Sequence, residues 1–145
     1  MLLFVSVLLF ATESAPTQDM LSLRKQAEEV VKASNPTWTL IRKEERDKEV
    51  ICLWGPEKAD VTLTIFYGSS EQEAINRMNF TLKFLSQGPG KKLTSLGDEA
   101  YMWDDRSGFA GIRFRKANVY VDLVAPSLAM AQEFARKLAD SVSKK

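Results

Sequence analysis

The side chains that could do chemistry in this chain are few, and the absence that bounds them most is histidine, of which 145 residues contain none. Without His there is no Ser-His-Asp or Cys-His relay, no imidazole ligand for zinc, and no side chain that titrates near neutrality unless perturbed. The single Cys52 excludes cysteine-rich metal sites, C-x-x-C redox chemistry and an intrachain disulfide. It stands in the apolar run Val50-Ile51-Cys52-Leu53-Trp54, where a thiol is expected to act as a small buried hydrophobe. No G-x-x-x-x-G-K-[ST], G-x-G-x-x-G or G-x-S-x-G is present to cradle phosphate or present a nucleophile. What is left is carboxylate chemistry, with Asp98-Glu99 in one turn and Asp104-Asp105 in the next. A glycosidase-like pair needs two carboxyl groups about 5 to 9 Å apart in a cleft, whereas successive turns of an antiparallel meander fall at opposite ends of the strands. The D-x-[DN]-x-[DN]-G spacing of a calcium loop is missing as well. The residues therefore assign no catalytic group, metal or cofactor, and a small carboxylate-dependent hydrolase stands as the alternative to a non-catalytic binding module.

Binding asks less of a sequence than catalysis, and one stretch supplies what it needs. If Ala110, Ile112 and Phe114 face the core, strand alternation turns Phe109, Gly111, Arg113 and Arg115 the other way. The next strand then shows Tyr120, Asp122 and Val124, while Tyr101 and Trp103 share one side of their own strand. Aromatics beside Arg are the residue types most enriched at binding hot spots. Tyr101, Trp103, Phe109, Arg113, Arg115 and Tyr120 are accordingly the expected binding residues, on a sheet face directed away from the helices or beside a groove between sheet and helix. In the competing structural reading the aromatics are cross-strand pairs and Arg113 pairs with Asp122. The expected partner is a protein, an envelope component or a small apolar ligand. A net charge of +1 gives no footprint for nucleic acid.

These residues must be positioned by a regular framework, and hydrophobic periodicity supplies one. Over residues 19–34, Leu23, Ala27, Val30, Val31 and Ser34 form one helical stripe, stopped by Asn35-Pro36. Strands are predicted at 37–43, 49–54 and 60–67, separated by short polar breaks that favour hairpins. Ser70 and Glu73 match a capping box opening a second helix, whose stripe is Ala74, Met78, Leu82 and Leu85 and whose end is set by Gly88-Pro89. Further strands are predicted at 91–96, 100–103, 109–115 and 119–124. Pro126-Ser127 then starts a third helix with Leu128, Ala131, Ala135, Leu138 and Val142 inward. The order α-βββ-α-ββββ-α implies an α+β fold, an antiparallel twisted sheet of six or seven strands with two to three packed helices.

The chain opens on ten apolar or small residues, Leu2 to Ala11, within the length of a signal-peptide core and far short of a bilayer span. Thr12 and Ser14 provide the small residues a peptidase needs. The expectation is a signal peptide at residues 1–14, no transmembrane anchor, and a single α+β domain over 15–145 that is secreted or periplasmic. A composition with 45% hydrophobic and 27% charged residues suits one globular domain.

Three segments of the C-terminal third, Leu96-Gly97-Asp98-Glu99-Ala100-Tyr101, Phe114-Arg115-Lys116-Ala117-Asn118-Val119-Tyr120-Val121-Asp122-Leu123 and the terminal Phe134-Ala135-Arg136-Lys137-Leu138-Ala139, carry a resemblance. Together they resemble a pattern of exported bacterial α+β proteins of unknown function, similar in fold to the compact sandwiches of the PsbP and Mog1 type. The resemblance implies the hairpin and the compartment. It transfers no activity and no catalytic residue, because its motif is made of turn formers and strand residues.

Overall fold

The computed structural model describes residues 18–57, 60–85, 90–104 and 108–142. The expected signal segment, the Gly88-Pro89 break and Asp105 lie outside them. Among the described residues the order is α1 (Gln18–Ser34), β1 (Thr39–Arg46), β2 (Glu49–Gly55), β3 (Val61–Tyr67), α2 (Glu71–Lys83), β4 (Lys91–Leu93), β5 (Glu99–Asp104), β6 (Ala110–Lys116), β7 (Val119–Ala125) and α3 (Leu128–Ser141). This is the α+β order read from periodicity. No described helix is long and apolar enough to cross a membrane.

All seven strands form one antiparallel sheet in the order β1-β2-β3-β7-β6-β5-β4. Two meanders, β1 to β3 and β4 to β7, thus meet where β3 pairs with β7. In register across that seam, Ile65 faces Val121 and Leu63 faces Leu123, while Phe114 and Ile112 continue the same two rows on β6. Period-2 alternation therefore gathers one apolar face, and α1 and α3 cover it. Met20, Leu23, Ala27 and Val31 from α1 and Ala131, Phe134, Ala135 and Leu138 from α3 join that face in a single buried cluster. Each large aliphatic or aromatic side chain removed from water there stabilises by about 2 kcal/mol.

Helix α2 lies on the other face, over β7, β6 and β3, with Ala74 and Met78 fully buried against it. Ionic and backbone ties fix its entry. Ser70 Oγ accepts the Glu73 N–H, and Glu73 takes the N–H of Ser69 at 2.7 Å while receiving Lys48 Nζ at 2.8 and 2.9 Å. Gly68 and Asn118 exchange two bonds, Gly68 N–H to Asn118 O at 2.8 Å and Asn118 Nδ2 to Gly68 O at 2.7 Å. The face expected to be directed away from the helices is therefore covered by one. Alternation assigns the face correctly, but periodicity does not say which face a helix will choose; α2 is tied to this one by Glu71 on Arg115 and by Glu73 on Lys48.

Other differences lie at element ends. β1 runs to Arg46 rather than stopping at 43, because pairing with β2 in register down to Arg46 and Glu49 holds a charged strand that has no apolar alternation of its own. α2 stops at Lys83, where the Phe84 N–H reaches back to Thr81 and Leu82 carbonyls, leaving Leu82 half-buried and Leu85 beyond the helix. The β6–β7 turn places Ala117 in the left-handed region at φ 51°. Asp98 Oδ2 accepts the Ala117 N–H at 2.7 Å, and the Asp98 N–H donates to Arg115 O at 2.7 Å. The Gly-Asp turn and the Arg-Lys-x-Asn hairpin of the C-terminal pattern are thus bonded to each other.

Candidate functional site

Under α2 the sheet presents a polar row built by cross-strand register. Thr64 on β3 faces Asp122 on β7, Asp122 faces Arg113 on β6, and Arg113 faces Tyr101 on β5. One position along, Phe66, Tyr120, Arg115 and Glu99 form the parallel row. Arg113 Nε donates to Asp122 Oδ2 at 3.1 Å, and the Tyr120 hydroxyl lies 3.5 Å from the same oxygen. Asp122 Oδ1 is buried and has no hydrogen-bond partner among the described residues. Burial pushes the Asp122 carboxyl above its ordinary range, with Arg113 opposing, and burial likewise pushes the Tyr120 phenol up.

Helix α2 closes this row from above. Its Arg77 donates through Nε and Nη2 to Glu49 Oε2 at 3.0 and 2.5 Å and through Nη1 to Thr81 Oγ1 at 3.1 Å, so all three guanidinium nitrogens are engaged. The same guanidinium lies 5.9 Å from the centroid of the Tyr120 ring, a cation–π distance. Beyond Arg77 the helix turns outward two aromatics that no core covers. Phe80 and Phe84 are 60% and 68% exposed and touch each other with ring centroids 4.8 Å apart.

Between those rings and the sheet runs a groove of about 400 Å³, with Thr64, Tyr120 and Asp122 as its floor and Arg77, Phe80 and Phe84 along its wall. Phe80 and Arg77 also border a shallower depression against Arg46, Lys48, Glu49 and Phe66. A concave, largely apolar site with a few converging polar groups is the usual form of a small-ligand pocket, and its size falls within the range of about 300 to 1,000 Å³.

Of the six residues expected to bind, Tyr120 alone lines this groove. Tyr120, Arg113 and Arg115 are buried, at 1%, 7% and 7% exposure. Arg115 Nη1 holds Glu71 at 2.8 Å, Asp98 at 3.4 Å and the Ala117 carbonyl at 3.3 Å, which anchors the start of α2 to the β6–β7 turn. Trp103 is half-buried over Gly111 with Arg113 5.4 Å from its ring. Tyr101 donates to Glu99 Oε1 at 2.8 Å, which raises its phenol. Phe109 is 40% exposed just before β6. Sequence reasoning passed over Arg77, Phe80, Phe84 and Thr64. A signal for the two Phe residues existed: four apart, on the last turn of α2 and at its C-cap, they stand off the stripe of Ala74 and Met78.

The acids weighed for hydrolysis are separated. Asp98 precedes β5 and Asp104 ends it, a span of roughly 20 Å for extended backbone. Among the described residues no group of three or more His, Cys, Asp and Glu is placed to hold a metal ion.

No protein-family model matches the chain, and no curated protein is similar to it in sequence. One solved structure to which it is similar is a GTP binding regulator from Thermotoga maritima. The two share 12% identity at a TM-score of 0.44, over 81% of this chain and 84% of that one.

Proposed function

We propose that this protein is an exported, non-catalytic binding module whose ligand site is the groove between α2 and the sheet. The observation that carries the reading is the exposed Phe80–Phe84 pair standing over a polar floor of Thr64, Tyr120 and Asp122. Two large aromatics left in water on a helix that buries Ala74 and Met78 lose apolar stabilisation, which a ligand restores. The apolar segment Leu2 to Ala11 and the C-terminal pattern support the exported compartment. Against the carboxylate-hydrolase alternative stand the separation of Asp98 from Asp104 and the engagement of Asp98 in holding the Ala117 turn.

The test uses N-phenyl-1-naphthylamine, a neutral apolar dye whose fluorescence rises out of water. The wild-type chain is expected to give a saturable rise that Phe80→Ala with Phe84→Ala abolishes. Both positions are exposed and Ala is the best helix former, so circular dichroism and melting are expected to be unchanged. A signal that survives in the folded double variant contradicts the groove as the site.

A further inference from the structure

We infer that the groove selects a small, electrically neutral, mostly apolar molecule that donates one hydrogen bond, from a hydroxyl or N–H, to the Asp122 carboxylate; this rests on the groove being the ligand site. An ionised carboxylate offers about four acceptor positions. Asp122 has donors at one oxygen only, Arg113 at 3.1 Å and the marginal Tyr120 hydroxyl at 3.5 Å, and its Oδ1 has none among the described residues. Asp122 lines the groove while its Oδ1 is shielded from water, and because the terminal torsion of Asp is broad and roughly two-fold, rotation about it is what turns an open lone pair to the ligand. Acceptor capacity out of water and without a donor is costly; a donor brought by the ligand meets it.

The charges around the groove decide the ligand's own charge. An ammonium would have to compete for Asp122 with the Arg113 guanidinium already paired to it, with Arg77 beside it on the wall. Among the described residues a carboxylate or phosphate finds no cation lining the groove but Arg77, each of whose nitrogens already donates to Glu49 or Thr81. It would also approach Asp122 itself. A neutral donor suffers neither penalty, and its apolar body meets Phe80 and Phe84.

The experiment titrates the full wild-type chain with 4-propylphenol and with 4-propylanisole, its methyl ether, following backbone amide shifts. Size and apolar body are nearly the same, and only the donor is removed. The phenol is expected to perturb Thr64, Phe80, Phe84, Tyr120 and Asp122 and to bind about tenfold more tightly than the ether, as befits one hydrogen bond to a charged acceptor. Equal affinities with the same groove shifts overturn the donor inference and leave the groove reading standing. Absence of groove shifts with both overturns the groove reading too. Tighter binding of 3-phenylpropionate or phenethylamine than of the phenol overturns the neutral-ligand part. Asp122→Asn is a secondary probe, expected to narrow the gap between phenol and ether, because the amide oxygen still accepts but carries no charge.

Discussion

The indole of Trp103 occupies the space that a side chain at Gly111 would need, directly across the β5–β6 pairing. The Arg113 guanidinium stands 5.4 Å from that ring, so Gly111, Trp103 and Arg113 pack as a unit. A methyl at position 111 must displace the indole, and Arg113 is then left to find a new surface. Gly111→Ala is expected to destabilise the fold by about 1–3 kcal/mol through overpacking, read as a lowered denaturation midpoint. An unchanged midpoint would mean that the indole yields freely.

Arg113 and Asp122 form a largely buried pair, with side chains 9% and 21% exposed. Removing one partner strands the other charge, so Asp122→Leu is expected to cost about 3 kcal/mol, whereas Arg113→Met with Asp122→Leu together is expected to cost less than either alone. Urea unfolding of the two single variants and the double variant measures this. Additive losses would show that the pair is not coupled.

Two acids pull the pH dependence in opposite directions. Lys48 and the Ser69 N–H hold Glu73 below its ordinary 4.5, so the unfolded chain binds more protons in that window. This contribution is complete above the unfolded value and is lost as pH falls through the folded one. Asp122, raised above 3.8 by burial, acts the other way: its contribution is fully present below 3.8 and lost as pH rises through the folded value. Glu73→Gln is therefore expected to be less stable than wild type at about pH 7 and to converge with it at about pH 3. A difference that does not shrink in acid would place the effect elsewhere than in the ionised Glu73.

Cys52 is 1% exposed and its thiol is pushed up to about 11, chiefly by burial. The thiolate is the reactive form, so iodoacetamide is expected to leave native protein unlabelled at about pH 8 and to label it in denaturant. Rapid native labelling would show that the β1–β2 region opens readily.

The sheet was legible because its central strands obey simple rules. Val61, Leu63 and Ile65 alternate with threonines, and Ala110 to Lys116 alternates small or apolar with polar residues, so inward and outward sets follow from the period alone. The Arg113–Asp122 pair followed from the same alternation. What did not follow was burial of the outward set. α2 has an ordinary amphipathic stripe, and nothing in its spacing states that Ala74 and Met78 rest on Tyr120's side of the sheet rather than in the main core. That choice is made by contacts distant in sequence, Glu71 to Arg115, Arg77 to Glu49 and Gly68 to Asn118. The groove inherits the difficulty, since its floor and wall come from β3, β7 and α2. β1, charged from Arg42 to its end, is held by pairing with β2 and carries no pattern from which that end could be read.

The central claim is that ligand enters between α2 and the sheet, and a crystal structure of the full chain grown with N-phenyl-1-naphthylamine tests it most directly. The account predicts density for the dye against Phe80, Phe84 and Tyr120. Density instead against Trp103 and Phe109, or an empty groove in crystals whose solution binding is stoichiometric, would contradict it.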